Sequence, residues 1–127
     1  MVDSMQKWVV IGAVFLALGV CLGAFGAHGL KERLDVGMMA IYEKAVLYHF
    51  IHALGLLLIV ILSKQGLVAS EQAAKICAVL SFGILVFSGS LYLLAITGIK
   101  ILGAITPLGG TAFIIAWCWL AWTAWKN

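Results

Sequence analysis

Seven polar side chains stand out in a sequence that is otherwise largely apolar, and they are the residues that could do chemistry. They are His28, Tyr48, His49, His52, Ser88, Tyr92 and Thr106. Imidazole is a common ligand of metals and haem and titrates near neutral pH, and a serine beside a histidine can act as a nucleophile. The possible chemistry is therefore ligand binding, proton relay or hydroxyl-based catalysis.

The elements that must position these residues are four long apolar segments: Trp8–Ala27, Ala45–Leu62, Ala73–Ile96 and Ile101–Trp125. A helix rises about 1.5 Å per residue, so about 20 residues cross a hydrocarbon core of about 30 Å. The second segment is shorter, but the amphipathic run Met38–Lys44 before it could extend the helix. Each segment therefore has the length of a membrane-spanning helix.

Composition supports the same fold class. Apolar residues make up 65% of the 127 residues and charged residues 10%, whereas soluble domains have about 45–50% and 25%. Four spans leave little chain for anything outside the membrane. We predict an all-α integral membrane protein, in which residues 1–127 form a single membrane domain: a compact bundle of four transmembrane helices with short loops.

Helical periodicity and depth group the polar residues in one half of the membrane. His49 and His52 share a face of the second helix, and Ser88 and Tyr92 share a face of the third. His52 lies eight residues after Lys44, and Ser88 lies eight residues before Ile96, a distance of about 12 Å in each case. With His28 and Thr106 near the membrane surface of the same half, the pattern predicts a polar cluster in one leaflet and disfavours a continuous channel.

Three interpretations of this cluster remain open. The histidines could be neutral and hydrogen-bonded to Ser88, Tyr92 or backbone carbonyls, which would fix the helix register. They could instead bind a metal, haem or quinone, with His28 opposite His49 or His52. Alternatively, the cluster could receive a small amphiphile or lipid headgroup, or relay protons. Catalysis is disfavoured, because the chain has no intramembrane Asp or Glu pair, no G-x-S-x-G and no H-E-x-x-H motif.

Glycines form a stripe on the first helix. Gly12, Gly19, Gly23 and Gly26 fall on one face at helical spacing. Small residues let transmembrane helices approach closely, which is a main source of their association in lipid. We predict that this stripe packs against a neighbouring helix of the same chain; a seam between two copies is the alternative.

The remaining composition excludes several classes of site. The net charge of +3 is spread over loops and termini, where basic residues ordinarily meet lipid headgroups, so no nucleic-acid partner is expected. Cys21, Cys77 and Cys118 lie within the predicted spans without C-x-x-C spacing, which disfavours a disulfide framework or zinc site. We expect no metal site and no cofactor.

Four short motifs together resemble one family. They are Gly23-Ala24-Phe25-Gly26-Ala27-His28, Tyr48 followed by His52, Ser88-Gly89-Ser90-Leu91-Tyr92, and Thr106-Pro107-Leu108-Gly109-Gly110. Their order and spacing are similar to those of the YgdD/YwdK-like family of small four-span membrane proteins, a domain of unknown function with mitochondrial relatives. The resemblance implies four helices and a bacterial inner or plasma membrane, and it brings no catalytic activity, substrate or cofactor.

The sequence thus predicts a small, non-enzymatic structural or accessory component of the cell membrane. Its expected partners are membrane lipids, a second copy of itself or a larger membrane complex. The alternative is a binder of a small amphiphile, lipid headgroup, metal or haem through the His/Ser/Tyr cluster. An even number of spans puts both termini on one side, and we expect that side to be the cytoplasm, although the basic residues divide equally between the two faces.

Overall fold

The chain folds into four long helices. A computed structural model describes residues 3–127, and within them the helices are α1 (Gln6–Leu30), α2 (Val36–Lys64), α3 (Ser70–Thr97) and α4 (Leu102–Lys126). They contain 25, 29, 28 and 25 residues and are apolar enough to cross a membrane. The described residues contain no β-strand. The predicted fold class, an all-α protein with four transmembrane helices and short loops, is confirmed.

The first connection is shorter than the sequence indicated. Helix α2 begins at Val36 and not at Ala45, so the amphipathic run before Ala45 is helical and only residues 31–35 connect it to α1. The cause is Asp35, which has extended backbone angles and accepts a hydrogen bond from the Met38 amide at 2.7 Å. A side chain that satisfies a free amide in the first turn fixes where a helix starts.

Glycines close the other two connections. Gly66 follows the end of α2 with a φ of 79°, and Gly98 follows α3 with a φ of 71°. Residues with a Cβ rarely adopt this left-handed conformation. The Gly98 amide donates to the Leu94 carbonyl at 2.8 Å, so the turn also satisfies one of the last carbonyls of α3.

Helices α2 and α3 are central in the bundle. Burial covers 44% and 50% of their most apolar 18-residue windows, against 17% in α1 and 28% in α4. Helix α2 packs along α1 on one side and α3 on the other, and α3 also packs along α4. One core cluster contains the fully buried Leu56, Ile76 and Leu80. A second, smaller cluster forms around Tyr42.

Two of the helices contain a π-helical turn. Residues 26–30 form the last turn of α1, and residues 84–88 interrupt α3 between two α-helical parts. Such turns are rare and change which side chains share a face, and they are frequent at functional sites. The one in α3 comes directly before the segment that contains Ser90 and Tyr92.

Candidate functional site

His49 joins three helices at the centre of the bundle. It is 3% exposed. Its Nε2 lies 2.7 Å from the Phe15 carbonyl oxygen of α1, and its Nδ1 lies 2.9 Å from the Tyr92 hydroxyl of α3. A carbonyl can only accept, so Nε2 carries the proton, and in the neutral ring Nδ1 accepts from Tyr92. Both imidazole nitrogens are therefore satisfied within the protein.

Ser88 connects α3 to α2 through the backbone. Its side chain is 1% exposed, and its hydroxyl donates to the Ala45 carbonyl at 2.8 Å. This hydrogen bond uses the proton that a nucleophilic serine would give to a general base. The structure pairs Ser88 with Ala45 and not with His52, so the arrangement needed for serine catalysis is not formed.

A third polar contact connects α3 to α4. Ser90 and Thr106 place their hydroxyl oxygens 2.6 Å apart. Each hydroxyl has one proton, so one donates to the other, and the hydroxyl that accepts donates in turn to a carbonyl of its own helix, Phe87 for Ser90 or Leu102 for Thr106. Ser90 is 6% exposed. Polar contacts therefore connect each pair of helices that pack against one another along the bundle.

His52 points away from this network, toward α4. Its Nδ1 lies 2.7 Å from the Tyr48 carbonyl one turn earlier in α2, so Nδ1 carries the proton in the neutral ring. The imidazole stacks on Phe113 with ring centroids 3.5 Å apart and an interplanar angle of 9°. The Tyr48 ring packs on Phe87 at a centroid distance of 4.6 Å. These rings form an aromatic group between α2, α3 and α4.

His28 lies apart from the other candidate residues. It belongs to the π-helical turn that ends α1 and is exposed. The hydrogen bonds of residues 3–127 do not connect it to His49, His52 or Tyr92. Within the same residues, no group of three or more His, Cys, Asp or Glu side chains is placed to hold a metal ion. Five of the seven candidate residues thus lie on the central helices α2 and α3. Thr106 lies on α4 and contacts Ser90 of α3, and His28 lies apart from all of them.

Two members of the polar network, Tyr42 and Ser90, are not among the seven candidate residues predicted from the sequence. Tyr42 is 1% exposed, its hydroxyl donates to the Leu22 carbonyl of α1, and its ring lies 5.1 Å from that of Tyr92. The helical spacing of Tyr42 and His49 was a usable signal, because it places both on one face of α2. For Ser90, the signal was its place in the motif that also contains Ser88 and Tyr92.

The four glycines of the α1 stripe all lie nearest to α2. A Cβ built on Gly12 would lie 3.0 Å from Leu57, one on Gly19 3.1 Å from Phe50, one on Gly23 3.6 Å from Val46 and one on Gly26 2.4 Å from Tyr42. The partner of this stripe is therefore a helix of the same chain. The glycine at the closest backbone contact is in α4, where a Cβ on Gly109 would lie 2.4 Å from the Phe87 amide nitrogen.

Comparison with known proteins identifies the family of this chain. The family described as "Protein of unknown function (DUF423)" matches residues 22–110, a range that contains all seven candidate residues. The chain belongs to the DUF423 family. The resemblance seen in the four motifs is thereby confirmed, and the family description carries no activity.

Relatives of this DUF423 protein are similar over nearly their whole length. A UPF0382 membrane protein of Staphylococcus epidermidis is 47% identical over 113 residues, which cover 89% of this chain and 90% of the relative. UPF0382 membrane protein YwdK of Bacillus subtilis is 45% identical over 114 residues, 89% of this chain and 91% of the relative. A Staphylococcus haemolyticus relative is 43% identical over 122 residues, 96% and 98% of the two chains. No solved structure gives a significant match.

Proposed function

We propose that this DUF423 protein is a non-enzymatic structural or accessory component of the cell membrane. The observation that supports this most strongly is that both ring nitrogens of His49 are hydrogen-bonded within the bundle. Its imidazole is the most buried of the three histidines described, and both of its nitrogens hydrogen-bond other helices. A group occupied in this way fixes the positions of α1, α2 and α3 and has no free nitrogen for a substrate or a metal.

The proposal includes partners and orientation. The protein acts with membrane lipids and as part of a homo-oligomer or larger membrane complex, and it has no nucleic-acid partner. Its lipid-facing surface supports this, since large apolar side chains such as Val10, Leu85 and Ile114 are more than half exposed. Both termini face the cytoplasm, which reporter fusions test: a C-terminal green fluorescent protein should fluoresce, and a C-terminal alkaline phosphatase should be inactive.

A double-mutant cycle tests the structural role of His49. We expect His49→Phe and Tyr92→Phe each to lower the thermal stability of the detergent-purified protein, and the pair to show a coupling energy of about 0.6–1.7 kcal/mol. His28→Ala is the matched control and should leave the melting temperature unchanged, because His28 is exposed. If His49→Phe keeps full stability but cannot replace the wild type in a deletion strain, His49 has a chemical role and the proposal is wrong.

Native mass spectrometry tests the accessory role. The protein should be released from membranes of its own host at natural abundance, with a mild detergent. We expect complexes heavier than the 13.6 kDa chain by a fixed number of lipids, by a second copy or by another subunit. A bare monomer at every detergent concentration would contradict this part of the proposal and would leave the His49 result unaffected.

A further inference from the structure

A cavity of about 500 Å³ lies between α2, α3 and α4 on the lipid-facing side of the bundle. Its aromatic wall comes from Tyr48, Phe87, Phe113 and Trp117, and His52 contributes a polar group. Ile114 and Cys118 at its edge are exposed, so the cavity opens toward lipid. Sites for small molecules have about this volume and the same mixture of an apolar lining with a few polar atoms.

Two polar side chains line this cavity, Tyr48 with its hydroxyl and His52 with one free nitrogen. Because Nδ1 bonds the Tyr48 carbonyl, Nε2 has the free lone pair of the neutral ring. No residue among 3–127 hydrogen-bonds Nε2, although His52 is only 5% exposed. The stacking on Phe113 holds the ring plane in place. Nε2 is accessible from the cavity, and in the hydrocarbon layer an acceptor that meets neither water nor a partner costs free energy unless something donates to it.

Packing alone does not explain a histidine at this position. The ring stacks on Phe113 and contacts Trp117, contacts that a phenylalanine would also make. Within the described part of the chain, His52 hydrogen-bonds only the Tyr48 carbonyl of its own helix, and this bond connects no two helices. This distinguishes His52 from His49, which hydrogen-bonds α1 and α3.

The depth of His52 limits what could donate to it. His52 lies eight residues after Lys44 and twelve before Lys64, or about 12 Å and 18 Å along the helix. None of the described residues that line the cavity is charged, and a charged lipid headgroup at this depth would be costly. The donor must therefore be neutral and belong to a molecule that enters the hydrocarbon layer.

We propose that this cavity binds a lipophilic phenol, meaning a neutral hydroxylated aromatic ring with a hydrophobic tail. The ring packs against Tyr48, Phe87 and Trp117, in the offset or edge-on arrangements that aromatic rings prefer. Its hydroxyl donates to Nε2 of His52, and its tail leaves between α2 and α4 into lipid. This goes beyond the proposed function, since a stable bundle does not require a ligand at His52.

Two probes that differ by one O-methyl group, which replaces the donated proton, test the proposal without any mutation. 4-Nonylphenol and its methyl ether, 4-nonylanisole, should be titrated into the protein in lipid nanodiscs, with empty nanodiscs subtracted for partitioning into lipid. We expect the phenol to bind about tenfold more tightly, the value of one hydrogen bond. The ¹⁵N resonance of His52 Nε2 should move with the phenol only. Equal affinities, or no saturable binding of the phenol, would overturn the proposal.

Two variants locate the site. His52→Phe keeps the stacking and removes the acceptor, so the preference for the phenol should disappear while both probes still bind weakly. Gly110→Leu fills the cavity and should abolish both, and an added Cβ at Gly110 meets Phe87 only at 3.7 Å, an ordinary contact. A tenfold preference that survives in His52→Phe would show that the donor is recognised elsewhere, and this result would not affect the His49 cycle.

Discussion

Gly109 lies directly against the backbone of Phe87. A Cβ at Gly109 would be 2.4 Å from the Phe87 amide nitrogen and 2.7 Å from its Cα, and a Cβ at Gly83 would be 2.5 Å from the Phe113 ring. Phe87 belongs to the π-helical turn of α3, so this turn and α4 touch through main-chain atoms. Backbone contact of this kind is what small residues provide in membranes, where apolar surface alone gives no drive for association.

Gly109→Ala should therefore destabilise the protein strongly. The added methyl group meets backbone atoms that cannot rotate away, and we expect a loss of about 1–3 kcal/mol in the free energy of unfolding, measured by thermal or denaturant unfolding in detergent. Gly23→Ala is the matched control, because its Cβ would lie 3.6 Å from Val46, and it should be neutral. Equal effects of the two substitutions would contradict the close approach at Gly109.

The sequence predicted which glycines face a neighbouring helix but not how close each of them lies to it. Spacing identified the stripe on α1, because four glycines recur on one helical face. Spacing could not show which glycine has the closest contact, because that depends on the distance to the opposing helix. The sequence does not contain this distance. The Gly109-Gly110 pair was visible as a motif, but the backbone opposite it was not.

The fold and the polar cluster were predictable to different extents. Hydropathy and length predicted four spans, because the bilayer sets the length of a helix independently of its neighbours. Depth along each helix placed His52 and Ser88 at the same level, but the structure pairs Ser88 with the Ala45 carbonyl and joins His49 to Tyr92. His28 was also assigned by depth, yet it faces outward, because depth does not determine the direction in which a residue at a helix end points.

The cavity beside His52 could not be predicted from the spacing of residues along the sequence. His49 and His52 are three residues apart and share a face of α2, but one bonds α1 and α3 while the other faces α4. The two histidines differ because the rotation of α2 about its axis decides which neighbouring helix each imidazole faces. The residue pattern of α2 alone does not contain this rotation.

Removing the Asp35 carboxylate should loosen the start of α2. The carboxylate accepts from the Met38 amide at 2.7 Å, and replacing such a cap by alanine costs about 1 kcal/mol. We expect Asp35→Ala to lower the melting temperature and to speed hydrogen exchange at the first amides of α2. Asp35→Asn is the control, because asparagine caps as well as aspartate. Unchanged exchange in Asp35→Ala would mean that packing fixes the start of this helix.

An ion pair near the termini should make stability depend on pH. Lys64, at the end of α2, hydrogen-bonds the Asp3 carboxylate, and this contact holds the pKa of Asp3 below its ordinary value of 3.8. A carboxyl with a lowered pKa in the folded state stabilises the protein above its unfolded pKa, and this contribution is lost as the pH falls through the folded pKa.

The measurement is the melting temperature of the wild type and Asp3→Asn from neutral to acid pH. We expect the wild type to be more stable at neutral pH and the difference to shrink below about pH 4, where the carboxylate becomes protonated. High salt should also reduce it, because both side chains are about half exposed. When Lys64→Gln is introduced into both proteins, the difference between the wild type and Asp3→Asn should disappear. Lys75→Gln, which breaks only the pair with Glu71, should preserve this difference. A difference that stays constant down to acid pH would contradict the pairing of Asp3 with Lys64.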